Sequence, residues 1–158
     1  MKRKIYILAG LAVIVDQITK LLVVFNFVLG EELTLIKNVF SFVYVRNNGG
    51  AFNIFSGNII FLLLVSFGFI WILNKYILEK KTYLKNEIVL YGLLFGGIIG
   101  NMIDRIRVGY VIDFLAVKIF DYDFPVFNLA DTFIVCSVIG LIYFTLKSGR
   151  KCKNGRDS

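Results

Sequence analysis

Apolar residues gather into four long stretches separated by shorter polar and aromatic segments. A helix needs about 20 mostly apolar residues to cross a bilayer core. Residues 5–27 meet that length, interrupted by Asp16, Gln17 and Lys20. Residues 54–73 form a second run, free of charged residues. Residues 88–103 form a shorter, glycine-rich run, and residues 126–146 a fourth, interrupted by Asn128 and Asp131. The pattern predicts an all-α membrane protein with four transmembrane helices, a single domain over residues 1–158, and a basic tail from residue 147. Between the first two runs, Phe40-Ser41-Phe42-Val43-Tyr44-Val45 is β-branched and aromatic and ends at Arg46-Asn47-Asn48-Gly49-Gly50, the pattern of a strand followed by a turn. Between the last two, Phe120-Asp121-Tyr122-Asp123-Phe124-Pro125 is an aromatic stretch suited to the membrane interface. A small extracytoplasmic β-cradle and an interfacial loop are expected there.

Composition agrees with a membrane chain. Of 158 residues, 58% are hydrophobic and 18% charged, and the mean hydropathy is +0.75, which argues against a soluble domain. Histidine is absent, which removes His-based zinc sites and every triad that uses imidazole as base. Cys136 and Cys152 are too few for a structural metal site, and the orientation below puts Cys152 in a reducing compartment, away from disulfide chemistry. The net charge of +7 could suit nucleic acid, but the basic residues flank the apolar runs and read as topology instead. Twelve of the 18 lysines and arginines lie in the amino terminus, the segment between runs two and three, and the carboxyl tail; five lie in the other two segments, and Lys20 lies inside run one. Both termini are therefore expected in the cytoplasm, and residues 28–53 and 104–125 outside it. Met-Lys-Arg-Lys before an apolar run also suits a cleaved signal peptide, but Asp16 and Lys20 are out of place in one. Leu8-Ala9-Gly10 resembles a lipoprotein cleavage box that lacks the required cysteine, because Leu11 follows.

Charges within apolar spans are costly and mark functional sites by default. Given this orientation, Asp16, Lys20, Asn101, Asp104, Asp113, Asn128 and Asp131 converge on the outer leaflet. Asp16 and Lys20 share a helix face at i, i+4, where they can neutralise each other or support a site. Asn101, Asp104 and Arg105 suit interfacial capping as well as a site, and Asn47 and Asn48 suit a turn. Gly96, Gly97 and Gly100 suit a close-packing helix face. Asp113 and Asp131 have no basic residue at helical spacing and sit among apolar neighbours. Two such carboxylates at one depth can share a proton, as an aspartyl hydrolase requires, or serve as isolated structural or ion-binding groups. The serines have no histidine as base, and no phosphate loop or dinucleotide fingerprint is present.

Five segments in order resemble the motifs of the bacterial lipoprotein signal peptidases (signal peptidase II): Asp16-Gln17-Ile18-Thr19-Lys20; Arg46-Asn47-Asn48-Gly49-Gly50-Ala51-Phe52; Gly96-Gly97-Ile98-Ile99-Gly100-Asn101-Met102-Ile103-Asp104-Arg105; Val111-Ile112-Asp113-Phe114; and Phe127-Asn128-Leu129-Ala130-Asp131. The second departs from the family's common Asn-Thr-Gly-Ala-Ala-Phe. The resemblance implies four spans and an aspartic endopeptidase of the cell membrane, its site near the extracytoplasmic face. Such an enzyme removes the signal peptide of prolipoproteins just before a diacylglyceryl-modified cysteine. It implies catalytic roles for Asp113 and Asp131, and substrate-binding or supporting roles for Asp16, Lys20, Asn47, Gly49, Gly97, Asn101, Arg105 and Asn128. No metal or cofactor is implied; the partners would be lipidated prolipoprotein and membrane lipid, with the enzyme monomeric. Two competing readings are weaker. An ion-coupled transporter would spread polar residues through the full depth, whereas the inner halves of spans two to four are almost purely apolar. A non-catalytic scaffold gives no reason to set Asp113 level with Asp131.

Overall fold

The computed structural model describes residues 1–50, 54–120 and 122–154, with side-chain surroundings through Lys147. Ala51 and Phe52 of the second motif, and Asp121, lie outside the described residues. The chain order is α1 (Lys2–Asn26), β1 (Glu32–Ile36), β2 (Phe40–Asn47), α2 (Ile59–Glu79), α3 (Lys85–Val108), β3 (Val111–Ile119), β4 (Tyr122–Asp123) and α4 (Leu129–Asn154). All four helices are long and apolar enough to cross a membrane. Away from their ends they expose many large apolar residues, among them Ile7, Leu11, Ile14 and Ile18 on α1 and Phe67, Trp71 and Ile72 on α2, as lipid-facing surfaces require.

Several boundaries differ from those read in the sequence. Span two begins at Ile59, not 54, because the Asn58 side chain accepts the Phe61 amide and caps the helix there. Span three extends from residues 88–103 to Lys85–Val108, starting where Glu87 accepts the Leu84 amide and stopping at Gly109. Gly109 has φ +80°, a left-handed conformation that L side chains resist, and it lets the chain reverse into β3 within two residues. Span four begins at Leu129, so Asn128 precedes the helix; the tail expected from residue 147 continues as helix to Asn154. Asp113, expected in a loop, lies in β3, and the strand expected to end at Val45 runs through Asn47.

Helix α3 is the centre of the bundle, packed by α1 on one side and α4 on another. The approach is close because small residues face each other. A Cβ built on Gly96 would lie 2.6 Å from the Ala12 Cβ, and one on Gly97 would lie 2.6 Å from the Ala130 carbonyl oxygen. With no water to expel, helices in lipid gain by such backbone approach. Helix α2 joins the bundle mainly near its far end. There Ile77 packs with Ile5, Tyr83, Ile88, Tyr91 and Phe95, and the Lys2 ammonium donates to the Leu78 carbonyl.

At the opposite end the four strands form one antiparallel sheet in the order β1-β2-β3-β4. Val45 pairs with Asp113 and Asn47 with Val111 across β2 and β3, after an irregularity between Phe42 and Val45. Tyr44, Ile112 and Phe114 pack with Val23 of α1. Ile112 and Phe114 thus fasten β3 to the bundle, and the strand's alternation gives Asp113 the opposite face. Phe127 then bridges to Leu115, with its carbonyl accepting from the Phe114 and Leu115 amides. That bridge delivers Asn128 and the start of α4 beside Asp113.

Candidate active site

Asp113 and Asp131 come from a strand and a helix, and one residue touches both. The Asn128 side-chain amide donates to Asp113 Oδ1 at 2.6 Å, and its backbone amide donates to Asp131 Oδ2 at 3.3 Å. The Asn128 side-chain oxygen accepts the Asp131 amide at 3.0 Å, so it also caps α4. Asp113 Oδ2 accepts from Asn47 Nδ2 at 2.9 Å, and Asp131 Oδ1 from Asn101 Nδ2 at 2.7 Å. Asp113 is therefore held from β2 and from the start of α4, and Asp131 from α3 and from the Asn128 cap of its own helix. Asp113 is 1% exposed. Burial pushes its carboxyl up to about 7, and the nearby Asp131 charge adds to the rise; the bonds from Asn47 and Asn128 act the other way.

Asn47 does more than form a turn. Its side-chain oxygen accepts the Gly49 amide at 2.9 Å while its nitrogen reaches Asp113, so the turn fixes the donor. Arg105 does not bond either aspartate directly; its guanidinium donates to the Gly49 carbonyl at 3.0 Å and holds the same turn against α3. Gly97 lies at the α3–α4 contact beside Ala130, where its role is close packing.

Behind the aspartates lies a second cluster. Lys20 Nζ lies 2.9 Å from Asp16 Oδ2, 2.9 Å from Asp104 Oδ2 and 2.8 Å from Asn101 Oδ1. All three charged side chains are 0% exposed. Gln17 Nε2 donates to Asp104 Oδ1 at 3.0 Å and to the Gly100 carbonyl at 3.2 Å. The Asp16–Lys20 pair expected from spacing is thus one arm of an Asp16–Lys20–Asp104 triad. Asp104, which suits capping as well as a site, and Gln17 were given no role by the motif resemblance. The available signal was the α3 spacing, since Gly97, Asn101 and Asp104 recur at four and three residues on one face.

The aspartates open on a groove of about 1300 Å³. Val45, Asn47, Asn101, Arg105, Asp113 and Asp131 line one end, and apolar residues of α2, α3 and α4, ending near Tyr76, Tyr91 and Leu141, line the rest. Helices α2 and α4 make hardly any contact, so the groove is open between them along the membrane-spanning region. Among the described residues, no group of three or more His, Cys, Asp or Glu side chains is placed to hold a metal ion.

Residues 8–147 match the family described as signal peptidase (SPase) II. The lipoprotein signal peptidase of Trichormus variabilis is 40% identical over 145 residues, spanning 92% of this chain and 90% of that protein. The lipoprotein signal peptidase of Clostridium tetani is 38% identical over 142 residues, spanning 89% and 91%. One bacterial membrane enzyme structure obtained by the in meso method superposes with a TM-score of 0.84 at 34% identity, covering 90% of this chain and 87% of that one. A second superposes with a TM-score of 0.80 at 35% identity, covering 89% and 91%.

Proposed function

The chain belongs to the signal peptidase II family, and from that membership and the geometry we propose that Asp113 and Asp131 are the catalytic pair of a membrane-embedded aspartic endopeptidase. The enzyme removes the signal peptide of prolipoproteins. The observation that carries the catalytic assignment is the convergence of two carboxylates from β3 and α4 on Asn128 at the polar end of an apolar groove.

The pair works with one proton between them. The ionised carboxylate takes a proton from water as the water oxygen bonds to the scissile carbonyl carbon. The protonated one gives its proton to the carbonyl oxygen. Collapse of the tetrahedral intermediate breaks the C–N bond; the proton taken from water goes to the departing nitrogen, and a hydroxyl proton returns to the pair. No acyl-enzyme forms, because water is the nucleophile. The bonds from Asn47, Asn101 and Asn128 hold the carboxylates in place before substrate arrives, so little reorganisation is needed at the moment of reaction.

The substrate is a lipid-anchored chain that reaches the enzyme through the bilayer. The opening between α2 and α4 suits an apolar signal helix and its diacylglyceryl cysteine. β1 pairs with β2 only as far as Tyr44, so Val45–Asn47 offer an edge along which an extended peptide can pair beside Asp113. The site lies at the extracytoplasmic face, with both termini in the cytoplasm, because the basic residues concentrate at the opposite end. The test is cleavage of a purified lipidated prolipoprotein by the enzyme in detergent, followed by gel shift. Wild type converts it; Asp113→Asn and Asp131→Asn fold but do not. An asparagine variant that folds and cleaves near the wild-type rate refutes the assignment.

A further inference from the structure

The buried triad touches the peptide immediately before each catalytic residue. Asp16 Oδ1 accepts the amide of Ala130, which precedes Asp131, at 3.0 Å. Asp104 Oδ2 accepts the amide of Ile112, which precedes Asp113, at 3.3 Å. Lys20 joins the two carboxylates, and its third hydrogen goes to Asn101 Oδ1. An ammonium can only donate, so this last contact turns the Asn101 carbonyl toward Lys20 and the Asn101 amide nitrogen toward Asp131. We propose that Lys20 is a positioning residue for both catalytic carboxylates: through Asp16 and Asp104 it holds α4 and β3 at the separation that lets Asp131 and Asp113 act on one water.

Three features favour this over a mutually neutralised pair that merely makes α1 tolerable in lipid. Neutralising Lys20 needs one carboxylate, yet two are present and both are fully buried. Each carboxylate also accepts a backbone amide from a different catalytic segment. Those segments belong to separate elements, joined to each other among the described residues by the Phe127 bridge and Asn128. The charged groups facing Lys20 are Asp16 from α1, Asp104 from α3, Asp113 from β3 and Asp131 from α4, and Arg105 of α3 faces the same aspartates. Its charge acts on the dyad as well as its geometry.

The inference rests on the catalytic assignment above, so the experiment first requires that full-length wild type cleaves a fluorescent diacylglyceryl-cysteine signal peptide in detergent; failure there defeats that assignment and leaves the triad aside. Lys20→Met with Asp104→Asn removes the brace while keeping the net charge of the triad. We expect kcat to fall about 100-fold, the scale of a misplacement of roughly 1 Å, with KM within about threefold of wild type. The isosteric Asp104→Asn alone keeps an acceptor for Ile112 but loses a charge near the dyad. It should lower kcat at least about tenfold and move the alkaline limb of the pH–rate profile downward. An unchanged kcat in Asp104→Asn overturns the proposal. So does a loss in which kcat, substrate binding and thermal stability fall together while the pH profile stays put, because that is the signature of a strut with no part in placing the carboxylates. Should the double variant fail to fold, Asp104→Asn decides the matter alone.

Discussion

At the scale of the residue, Asp113 is where burial becomes chemistry. A carboxyl raised from 3.8 to about 7 keeps its proton at pH values where an exposed aspartate has lost it. The proposed dyad needs one proton, so its rate should hold up to about pH 7 and decline as that proton leaves; kcat measured from pH 5 to 9 checks this. Stability follows the same linkage. The folded carboxyl binds its proton more tightly than the unfolded one, so the stability it contributes is fully present below 3.8 and is lost as pH rises through about 7. Asp113→Asn, neutral at every pH, should therefore melt at a higher temperature than wild type at pH 8, with the difference shrinking toward pH 4. Lys20→Met exposes the other side of burial. It leaves Asp16 and Asp104 with no cation between them, and loss of one partner from a buried ion pair costs about 3–5 kcal/mol. Chemical unfolding in detergent should show a loss of that order, well beyond that of Lys75→Met, whose pair with Glu79 is exposed.

At the scale of the element, the glycines of α3 decide how near α1 and α4 can come. A Cβ on Gly96 would stand 2.7 Å from the Ala9 carbonyl oxygen as well as against Ala12, and backbone cannot yield as a side chain does. Gly96→Val should cost about 1–3 kcal/mol and also lower activity, because separating α1 from α3 pulls Lys20 from Asp104. Gly68 of α2 has nothing within 4 Å of such an atom, so Gly68→Ala should be neutral or stabilising by about 0.5–1 kcal/mol. Thermal melts of the two variants, with cleavage rates alongside, test the contrast.

At the scale of the whole molecule, the sheet end and the basic end are the two poles of a membrane enzyme. With Cys136 and Cys152 replaced by alanine, cysteines introduced at Lys37 and Lys81 should react with an impermeant maleimide from opposite sides of sealed vesicles. Reaction of both from one side would overturn the orientation. The groove between α2, α3 and α4 connects the poles through the lipid-facing region, which is the approach a membrane-anchored substrate needs.

The four spans, the pole of each loop and the candidate aspartates were legible in the chain itself. Long apolar runs in a bilayer have one low-energy outcome, a helix, and lone carboxylates beside them are too costly to be incidental. The motif resemblance added roles for Asn47, Asn101, Arg105 and Asn128. Other features depended on pairing between distant segments. β1 and β3 became strands because each lies against β2, and Asp113 left its expected loop for that reason. Asp104 reads as a capping residue at the end of an apolar helix; only the Gly92, Gly96 and Gly100 face, by bringing α1 within reach, turns it into the second ligand of Lys20. Arg105, given a capping or supporting role, donates to the Gly49 carbonyl while its charge still acts on Asp131, a contact that needs the turn after β2 to lie against α3. Sequence fixes which side chains are too polar for lipid to leave alone; the close approach of helices, set by glycine and alanine far from them in the chain, decides which of them meet.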